Sequence, residues 1–445
     1  MRLRLLPVLS VLMLGLAGCP SSAPNSTTTP PSSASPTAAV PEKSPVVATP
    51  DDPALIQKLE SQGAVVKLND DKQIIGFDLS KTLDKEDRAT EIFNALGECA
   101  HLQKLQAVGP EIRDAQLVNL AKCQDLRELE LINSNIGDAG IASLIGLSKL
   151  QSLYIRRANI TDAGLESVAK LQNLLRLDLR HTNVTNAGMP QIAKLPKIRS
   201  VLLEGTKVGN AGLEPLASIK TLVRLNIRGE LFTDEAAAFI KQMKNLEVLE
   251  MDDTRIKDPG MLELKDLTKI RQLSLVRNRI KNEGVSIIKG MTEMKDLQLR
   301  DNMTSDACLV NLAGLTKLEK LDLSEGNFGD EGLKHLEGLK NLEELSLWSN
   351  DVSNTGLAYL TGLTKLRKLN LEQTRVTDEG IKTLSPLTNL EDLSLKQTDV
   401  TDGVFEILAN FTKLKRLSLE NCSQISQAGK SAFQTKFPNL TILGP

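Results

Sequence analysis

The sequence predicts an α/β solenoid built from about fourteen copies of one short structural unit. The first observation is a strict period: a Leu, Ile or Met recurs every 24 residues from Leu102 to Leu414. The second is the pattern inside each period, an alternating Leu-x-Leu followed by apolar residues spaced three apart. The third is composition, because aromatic residues are only 3% of the 445 and Leu, Ile and Val must build the core. Periods of this size indicate stacked units that pack on their neighbours.

The chain begins with a segment that resembles a secretion signal. Two arginines precede an apolar run over residues 5–16, which is shorter than the roughly 20 residues of a transmembrane helix. The order Leu-Ala-Gly-Cys that ends at Cys19 resembles the bacterial lipobox, whose Cys is lipidated and becomes the first mature residue. We therefore predict a lipoprotein signal peptide at 1–19 with lipidation at Cys19, the alternative being an ordinary cleaved signal. By resemblance to Gram-negative sorting, Pro20 in the next position indicates the outer membrane.

The segments that flank the repeats have their own predicted roles. Residues 20–53 are almost wholly Ser, Thr, Pro and Ala, a composition that predicts a disordered, extended tether. Residues 54–101 are predicted to form an N-terminal cap and an irregular first coil, with a helix over 54–63 and then two strands joined by an Asn-Asp-Asp turn. The repeats are assigned to 102–437 and a C-terminal cap to 438–445. Caps are expected because a terminal coil would otherwise expose its core.

Each repeat unit predicts a strand, a turn and a short helix. In one unit Leu369 and Leu371 alternate, which predicts a strand with two inward side chains. Ile381, Leu384 and Leu387 then recur three apart, a spacing typical of a helical or 3₁₀ stripe. A single unit cannot bury these residues alone, so stacking is required.

The thirteenth position of the units forms a column of Asp and Asn residues just before the helical stripe. Such a side chain is typical of an N-cap, which contributes about 1 kcal/mol to helix stability. We predict that the column caps the helices and is not a metal site, because backbone N–H groups use its oxygens. A Gly usually follows two positions later, as at Gly140 and Gly380. The column is Asp114, Asp138, Asp162, Asn186, Asn210, Asp234, Asp258, Asn282, Asp306, Asp330, Asn354, Asp378 and Asp402.

The consensus LxxLxLxxTxVTDxGLxxLxxL resembles the leucine-rich repeat of the cysteine-containing or ribonuclease-inhibitor-like class, shortened to 24 residues. The resemblance covers Leu102 to about Phe437, and lipoproteins with similar repeats are typical of planctomycete-type bacteria. It implies a right-handed horseshoe of about 14 repeats, with parallel strands on the concave face and short helices on the convex face. The motif is specific for the fold and says little about function.

The sequence contains no recognisable catalytic or cofactor motif. Its three histidines, His101, His181 and His335, fall in different units, and it has no HExxH, GxSxG, GxGxxG, Walker-type or CxxC motif. No segment outside the repeats is long enough for a catalytic domain. We therefore predict a protein that is not an enzyme and has no catalytic residue, cofactor or metal site. A hydrolase with an unrecognised site is the remaining alternative of that class.

Cys99 and Cys123 occupy the same position of adjacent units. Neighbouring coils lie about 5 Å apart, which a disulfide can span, and an extracytoplasmic setting permits oxidation. The other interpretation is two buried thiols that pack as small apolar side chains. The sequence leaves both open.

Ligand contacts are expected on the concave face, which the outward strand residues form. The column after each Leu-x-Leu pair carries Arg156, Arg180, Arg228 and the only Trp of the chain, Trp348, while Tyr154 lies two positions before Arg156. Arg, Tyr and Trp are over-represented at binding hot spots, so we predict that these five residues bind a ligand. A solvated strand face, with Arg stems covering apolar neighbours, is the alternative.

These predictions describe a lipid-anchored, extracytoplasmic protein of the bacterial cell envelope that recognises a macromolecule. An arginine-rich concave face suits a protein, a peptide or an anionic glycan, and the membrane is contacted through the N-terminal lipid. Nucleic acid is not expected, because the protein is predicted to lie outside the cytoplasm and its formal net charge is −2. The alternative is a structural envelope protein that self-associates or acts as a spacer.

Overall fold

The computed structural model of the chain describes residues 49–80 and 86–444. The predicted signal peptide, its Cys19 and residues 20–48 of the predicted linker lie outside the described residues. Within the described ranges, no helix is long and apolar enough to cross a membrane.

One open sheet of 17 strands, counted over the described residues, runs through the repeats. β1 and β2 are antiparallel, and every later strand pairs in parallel with the next one along the chain. Leu345, Leu369 and Leu393 lie side by side at the centres of three adjacent strands, as the period of 24 requires. The strands are β1 Val65–Leu68, β2 Ile74–Leu79, β3 Lys104–Val108, β4 Glu128–Ile132, β5 Ser152–Tyr154, β6 Arg176–Asp178, β7 Ser200–Leu202, β8 Arg224–Asn226, β9 Val248–Glu250, β10 Gln272–Ser274, β11 Asp296–Gln298, β12 Lys320–Asp322, β13 Glu344–Ser346, β14 Lys368–Asn370, β15 Asp392–Ser394, β16 Arg416–Ser418 and β17 Thr441–Leu443.

Each parallel crossover contains a short helix, many of which tighten into 3₁₀ geometry, because few residues remain between one strand and the next. The α-helices are α1 Pro53–Ser61, α2 Glu86–Leu96, α3 Asp114–Leu120, α4 Asp138–Ser143, α5 Asp162–Val168, α6 Met189–Ile192, α7 Leu213–Ala217, α8 Ala237–Ile240, α9 Asp258–Glu263, α10 Asn282–Val285, α11 Asp306–Leu309, α12 Asp330–Leu333, α13 Asn354–Leu357, α14 Asp378–Thr383, α15 Val404–Leu408 and α16 Gln427–Lys436. The 3₁₀ helices are Asn186–Gly188, Asn210–Gly212, Asp234–Ala236, Ser286–Gly290, Val310–Leu312, Lys334–Leu336 and Ala358–Leu360.

The core is one continuous apolar cluster between the strands and the helices. The two inward strand residues, such as Leu369 and Leu371, and the helical stripe of Ile381, Leu384 and Leu387 are all buried. A residue at one position of a unit therefore packs on its equivalents in the units before and after it. This arrangement confirms the predicted α/β solenoid.

The two ends depart from the regular unit. At the N-terminal end the expected helix and antiparallel strand pair are present as α1, β1 and β2. At the C-terminal end Arg416 lies opposite Thr441, a step of 25 residues, whereas Lys368 lies opposite Asp392, a step of 24. A one-residue insertion near Gln424 accounts for the longer step.

The predicted capping role of the Asp and Asn column is wrong. In α5 the helix begins at Asp162 itself, and the N-cap is the preceding Thr161. The Asx side chain reaches into the following coil instead: Oδ1 of Asp162 accepts the backbone N–H of Thr185 at 2.8 Å, and its Oδ2 accepts the Thr185 hydroxyl at 2.6 Å. All thirteen members accept a backbone N–H from the following coil in this way, at 2.6–2.9 Å. The column thus joins each coil to the next.

Candidate ligand-binding face

The surface that we call the sheet face consists of the strand side chains that point away from the core. Because successive strand residues alternate, Leu369 and Leu371 are buried while Lys368, Asn370 and Glu372 point outward. The equivalent residues of every coil form three parallel columns along the sheet. All five residues predicted to bind a ligand, Tyr154, Arg156, Arg180, Arg228 and Trp348, belong to these columns.

Arg180 is held by an acidic neighbour in its own coil. Its Nε and Nη2 atoms donate to the carboxylate of Asp178 at distances between 2.6 and 3.1 Å. The Asp178 side chain is only 3% exposed, so this is a largely desolvated, bidentate pair. The hydrogen bond to Asp178 raises the pKa of Arg180 above its ordinary value. Arg180 therefore supplies little uncompensated positive charge to a ligand.

Arg228 and Arg224 also lie close to carboxylates, although the Nε atom of each has no hydrogen-bond partner among the described residues. Arg228 lies 3.0 Å from Asp252 and 3.7 Å from Glu204, and Arg224 donates to Glu250 at 2.9 Å. These carboxylates come from the outward columns of neighbouring coils. The charges of Arg180, Arg224 and Arg228 are therefore largely neutralised by nearby acidic residues.

Arg156 differs from the other predicted arginines. It alone of the three has no ion-pair partner among the described residues. Its Nε atom is buried without a hydrogen-bond partner there, as are the Nε atoms of Arg224 and Arg228. Glu130, on the preceding strand, has its pKa raised by burial, while the nearby Lys104 and Arg156 charges oppose that rise. Tyr154 is half-buried beside this group. Of the three arginines predicted to bind a ligand, Arg156 is thus the best placed to meet an anionic group.

Trp348 is half-buried and firmly positioned on the sheet face. Its indole Nε1–H donates to Gln373 at 2.8 Å, and the guanidinium of Arg300 stacks on its ring at 4.6 Å from the centroid. Arg300 in turn donates to Glu325 at 2.7 Å. The intervening coil carries the small, buried Ser324, which allows Arg300 to extend across it to the ring. The arrangement presents a pre-ordered aromatic surface, which reduces the entropy lost on binding.

A groove of about 470 Å³ runs along the sheet, and its lining includes Ser346, two positions before Trp348, but not Trp348 itself. Its lining includes small polar side chains at one repeat position, Ser346, Asn370 and Ser394. One wall is an alternating row of charges, in which Glu344 lies 2.9 Å from Lys320 and 3.2 Å from Lys368. The sequence analysis did not predict this groove. The small side chains that recur at one repeat position, Ser346, Asn370 and Ser394, could have indicated it.

At the end of the groove nearest the N-terminus, the carboxyl group of Asp296 has a pKa above its ordinary value. Burial raises the pKa of Asp296, and a weak 3.5 Å hydrogen bond from Gln298 opposes the rise. A partly desolvated carboxylate is costly unless it is paired. Asp296 is therefore a good hydrogen-bonding partner for a polar ligand group in the groove.

The histidines and cysteines form no shared site. Among the described residues, no group of three His, Cys, Asp or Glu is arranged to hold a metal ion. Cys99 and Cys123 are free, buried thiols, and burial raises their pKa values to about 12 and about 11. Buried thiols of this kind are unreactive.

The chain belongs to the leucine-rich repeat family. The family described as "Leucine-rich repeat region" matches residues 101–358, more than half of the chain, and "Leucine Rich repeat" matches residues 362–385. No curated protein matches the sequence at a significant level.

Two solved structures share the fold at low sequence identity. An internalin (inlF) from Listeria monocytogenes str. 4b F2365 is 23% identical, with 82% of this chain and 94% of that chain covered and a TM-score of 0.55. The structure of the Rad7 and Elc1 complex in yeast matches at 17% identity, with 81% and 93% covered and a TM-score of 0.51. At these identities the similarity establishes the fold alone.

Proposed function

We propose that this protein is a lipid-anchored, extracytoplasmic leucine-rich repeat protein that binds a protein, a peptide or an anionic polymer on its sheet face. It acts by recognition alone, through a large and pre-ordered surface. Cys19 is the proposed anchor, and the outer membrane of a planctomycete-type cell envelope is the proposed location.

The observation that carries this proposal is the fixed position of Trp348 on the sheet face, two positions after Ser346 of the groove. An aromatic ring held by Arg300 on one side and by Gln373 at its Nε1 is ordered before a ligand arrives. The adjoining groove offers hydroxyl, amide, ammonium and carboxylate groups over several coils. Binding energy concentrates at such aromatic and arginine anchors, with polar groups around them giving specificity.

The fold supports a macromolecular partner. Solenoids commonly use their extended strand surface for binding. One of the solved structures that share this fold is that of the Rad7 and Elc1 complex in yeast. The internal pairing of Arg180 and Arg228 favours Trp348 and Arg156 as contact residues.

The proposal is tested by affinity capture from detergent-solubilised native envelope. Bait proteins would be the wild type, Trp348→Ala, Arg156→Ala and the matched control Lys382→Ala, whose exposed side chain lies on the helix α14. We expect the control to retain the proteins or glycans captured by the wild type and Trp348→Ala to lose them. Identical capture by all four baits would reject the sheet face as the binding surface.

The structural alternative is favoured by one observation, the two open edges of the sheet. β1 and β17 each pair with only one strand among the described residues, and such edges can add a strand from another chain. In this alternative the chain associates with itself through its ends. Sedimentation across a wide range of protein concentrations distinguishes the two: a persistent monomer that captures a partner supports recognition, and end-dependent assembly without a partner supports the alternative.

A further inference from the structure

One edge of the solenoid, where the chain leaves each strand, carries a stripe of unusual composition. Leu231, Arg255, Arg279 and Met303 occupy the same repeat position in four successive coils. Leu231 and Met303 are 54% and 56% exposed, although each is a large apolar side chain. With coils spaced about 4.8 Å apart, the stripe is about 14 Å long. We call Leu231, Arg255, Arg279 and Met303 the edge stripe.

The hydrogen-bond ladder along this edge is interrupted at two of these four residues. Arg255 and Met303 donate their backbone N–H groups to the preceding coil, to Phe232 at 2.8 Å and to Ile280 at 2.9 Å. The N–H groups of Leu231 and Arg279 donate to no atom of the described residues. Two main-chain donors on this edge therefore have no acceptor among the described residues.

Arg279 also has a strained backbone. Its φ is 57°, in the left-handed region that side-chain-bearing residues rarely adopt. A positive φ recurs in most coils two positions earlier, as at Arg277 with φ 59°, but Arg279 adds a second one within the same coil. A strained backbone conformation persists only where the surrounding structure enforces it, and such residues are concentrated at functional sites.

A cavity of about 600 Å³ lies against the stripe, and its charged lining consists of Arg255, Lys257, Arg277 and Arg279 together with Glu230, Asp234 and Asp253. Arg255 pairs with Glu230 at 2.5 Å, and Arg277 pairs with Asp253 through two hydrogen bonds of 2.6 and 2.7 Å. Lys257 and Arg279 have no ion-pair partner among the described residues. With four cationic and three acidic side chains in its lining, the cavity is weakly cationic, and Lys257 and Arg279 are its two cations without an ion pair.

We propose that the edge stripe and this cavity bind an extended, acidic segment of a partner protein that carries apolar side chains. Carboxylates of the segment pair with Lys257 and Arg279, where a planar guanidinium offers two parallel donors. Carbonyl groups of the segment accept the N–H groups of Leu231 and Arg279. The apolar side chains cover Leu231 and Met303. The stripe spans about four or five residues of an extended chain.

This site lies apart from Trp348 and the groove, so it extends the proposed function to a second contact surface. A lipid headgroup could pair with the two cations, but it does not carry carbonyl groups spaced to accept main-chain N–H groups in different coils. The N–H groups of Leu231 and Arg279 therefore favour a peptide.

The test uses the whole protein and a fluorescent peptide of about nine residues with alternating Glu and Leu, long enough to span the stripe. Binding is followed by anisotropy for the wild type, Lys257→Gln/Arg279→Gln, Arg279→Gly and Arg375→Gln. Arg375 is the matched control, because it occupies the same repeat position in a distant coil and pairs with Asp351 on the surface at 2.7 Å. Arg279→Gly removes the guanidinium and accommodates the positive φ, so its loss of binding is not a consequence of misfolding.

We expect the wild type and Arg375→Gln to bind equally, and the double variant to bind about tenfold more weakly or worse. Arg279→Gly should unfold no earlier than the wild type and still bind more weakly. Failure of the wild type to bind, or equal binding by all variants, would overturn the proposal. So would binding of anionic phosphatidylglycerol vesicles in place of the peptide. If Trp348→Ala weakens peptide binding as much as the double variant does, the peptide binds the sheet face instead. If only the capture experiment on the sheet face fails, the proposal for the edge stripe is unaffected.

Discussion

Oδ1 of Asp234 accepts the backbone N–H of Lys257 at 2.7 Å and that of Gly260 at 3.1 Å, both in the following coil. A Cβ atom on Gly260 would lie only 2.6 Å from that same oxygen. The Asx of one coil therefore favours a Gly in the next coil, although Ala236, Cys308 and Val404 occupy this position in three coils. This relationship links adjacent coils and explains the Asp-x-Gly pattern of the repeat.

Gly260→Ala should lower the stability of the protein by about 1–3 kcal/mol, the usual range for overpacking. The added methyl group meets Asp234 and the Ile256 side chain at 2.8 Å or closer. Gly314→Ala is the matched control, because no atom lies within 4 Å of its Cβ position. Thermal unfolding checks both, and equal melting temperatures for the two variants would contradict the packing argument.

Asp138→Ala should destabilise the protein by about 1–3 kcal/mol, because it leaves a backbone donor without its acceptor. The Asp138 carboxylate accepts the N–H of Thr161 at 2.9 Å and its hydroxyl at 2.6 Å. Asp138→Asn should reduce the stability much less than Asp138→Ala. Asn354, in the same column, shows why: it accepts one backbone N–H and donates to the hydroxyl of Thr377 at 2.8 Å. Urea unfolding measures both variants. An Asn variant as unstable as the Ala variant would speak against this role.

Arg180→Ala should destabilise the protein by about 1–3 kcal/mol, because Asp178 would keep its buried charge without a partner. Arg156→Ala should leave stability within about 0.5 kcal/mol of the wild type, since no ion pair is lost. The comparison is made by chemical denaturation at neutral pH. Should Arg180→Ala unfold like the wild type, the assigned pairing would be wrong.

Asp296→Asn should raise the melting temperature at pH 7. Burial raises the pKa of Asp296 in the folded protein, so ionisation favours the unfolded chain above that pKa. As the pH falls through the raised folded pKa, this penalty disappears, and it is absent below the unfolded value. The gain from Asp296→Asn should therefore shrink as the solution is acidified. A gain that is independent of pH would show that the charge is not its cause.

Cys99 and Cys123 should resist alkylation by iodoacetamide at pH 8 in the native protein. Their pKa values of about 12 and about 11 leave almost no thiolate at that pH, and both are buried. Denatured protein should react quickly at both positions. Mass spectrometry counts the adducts, and rapid labelling of the native protein would contradict the burial of these thiols.

The period of the sequence was sufficient to predict the fold. Parallel stacking follows from the 24-residue spacing, so the alignment of Leu345 with Leu369 was predictable from the Leu-x-Leu pattern alone. The role of the Asx column in joining adjacent coils was not predictable, because Asp162 and Thr185 lie 23 positions apart and only the stacking of the coils brings them together. Within one unit the same Asp has the spacing of a helix cap.

The sheet face was predictable in its position and only partly in its chemistry. Alternation placed Arg180 outward correctly, but Asp178, two positions earlier in the same strand, also points outward and neutralises it. This acidic neighbour was visible in the sequence. The left-handed backbone of Arg279 and its N–H group without an acceptor depend on local geometry, and residue type alone does not indicate them.

Site-specific photo-crosslinking in the native envelope tests the central claim most directly. A photoreactive residue at Asn370, in the lining of the groove, is compared with the same residue at Lys382 on helix α14. The account predicts a discrete adduct with a macromolecular partner from position 370 alone, and its loss when Trp348→Ala is added. Adducts from position 382 only, or none from position 370, would contradict recognition through the sheet face.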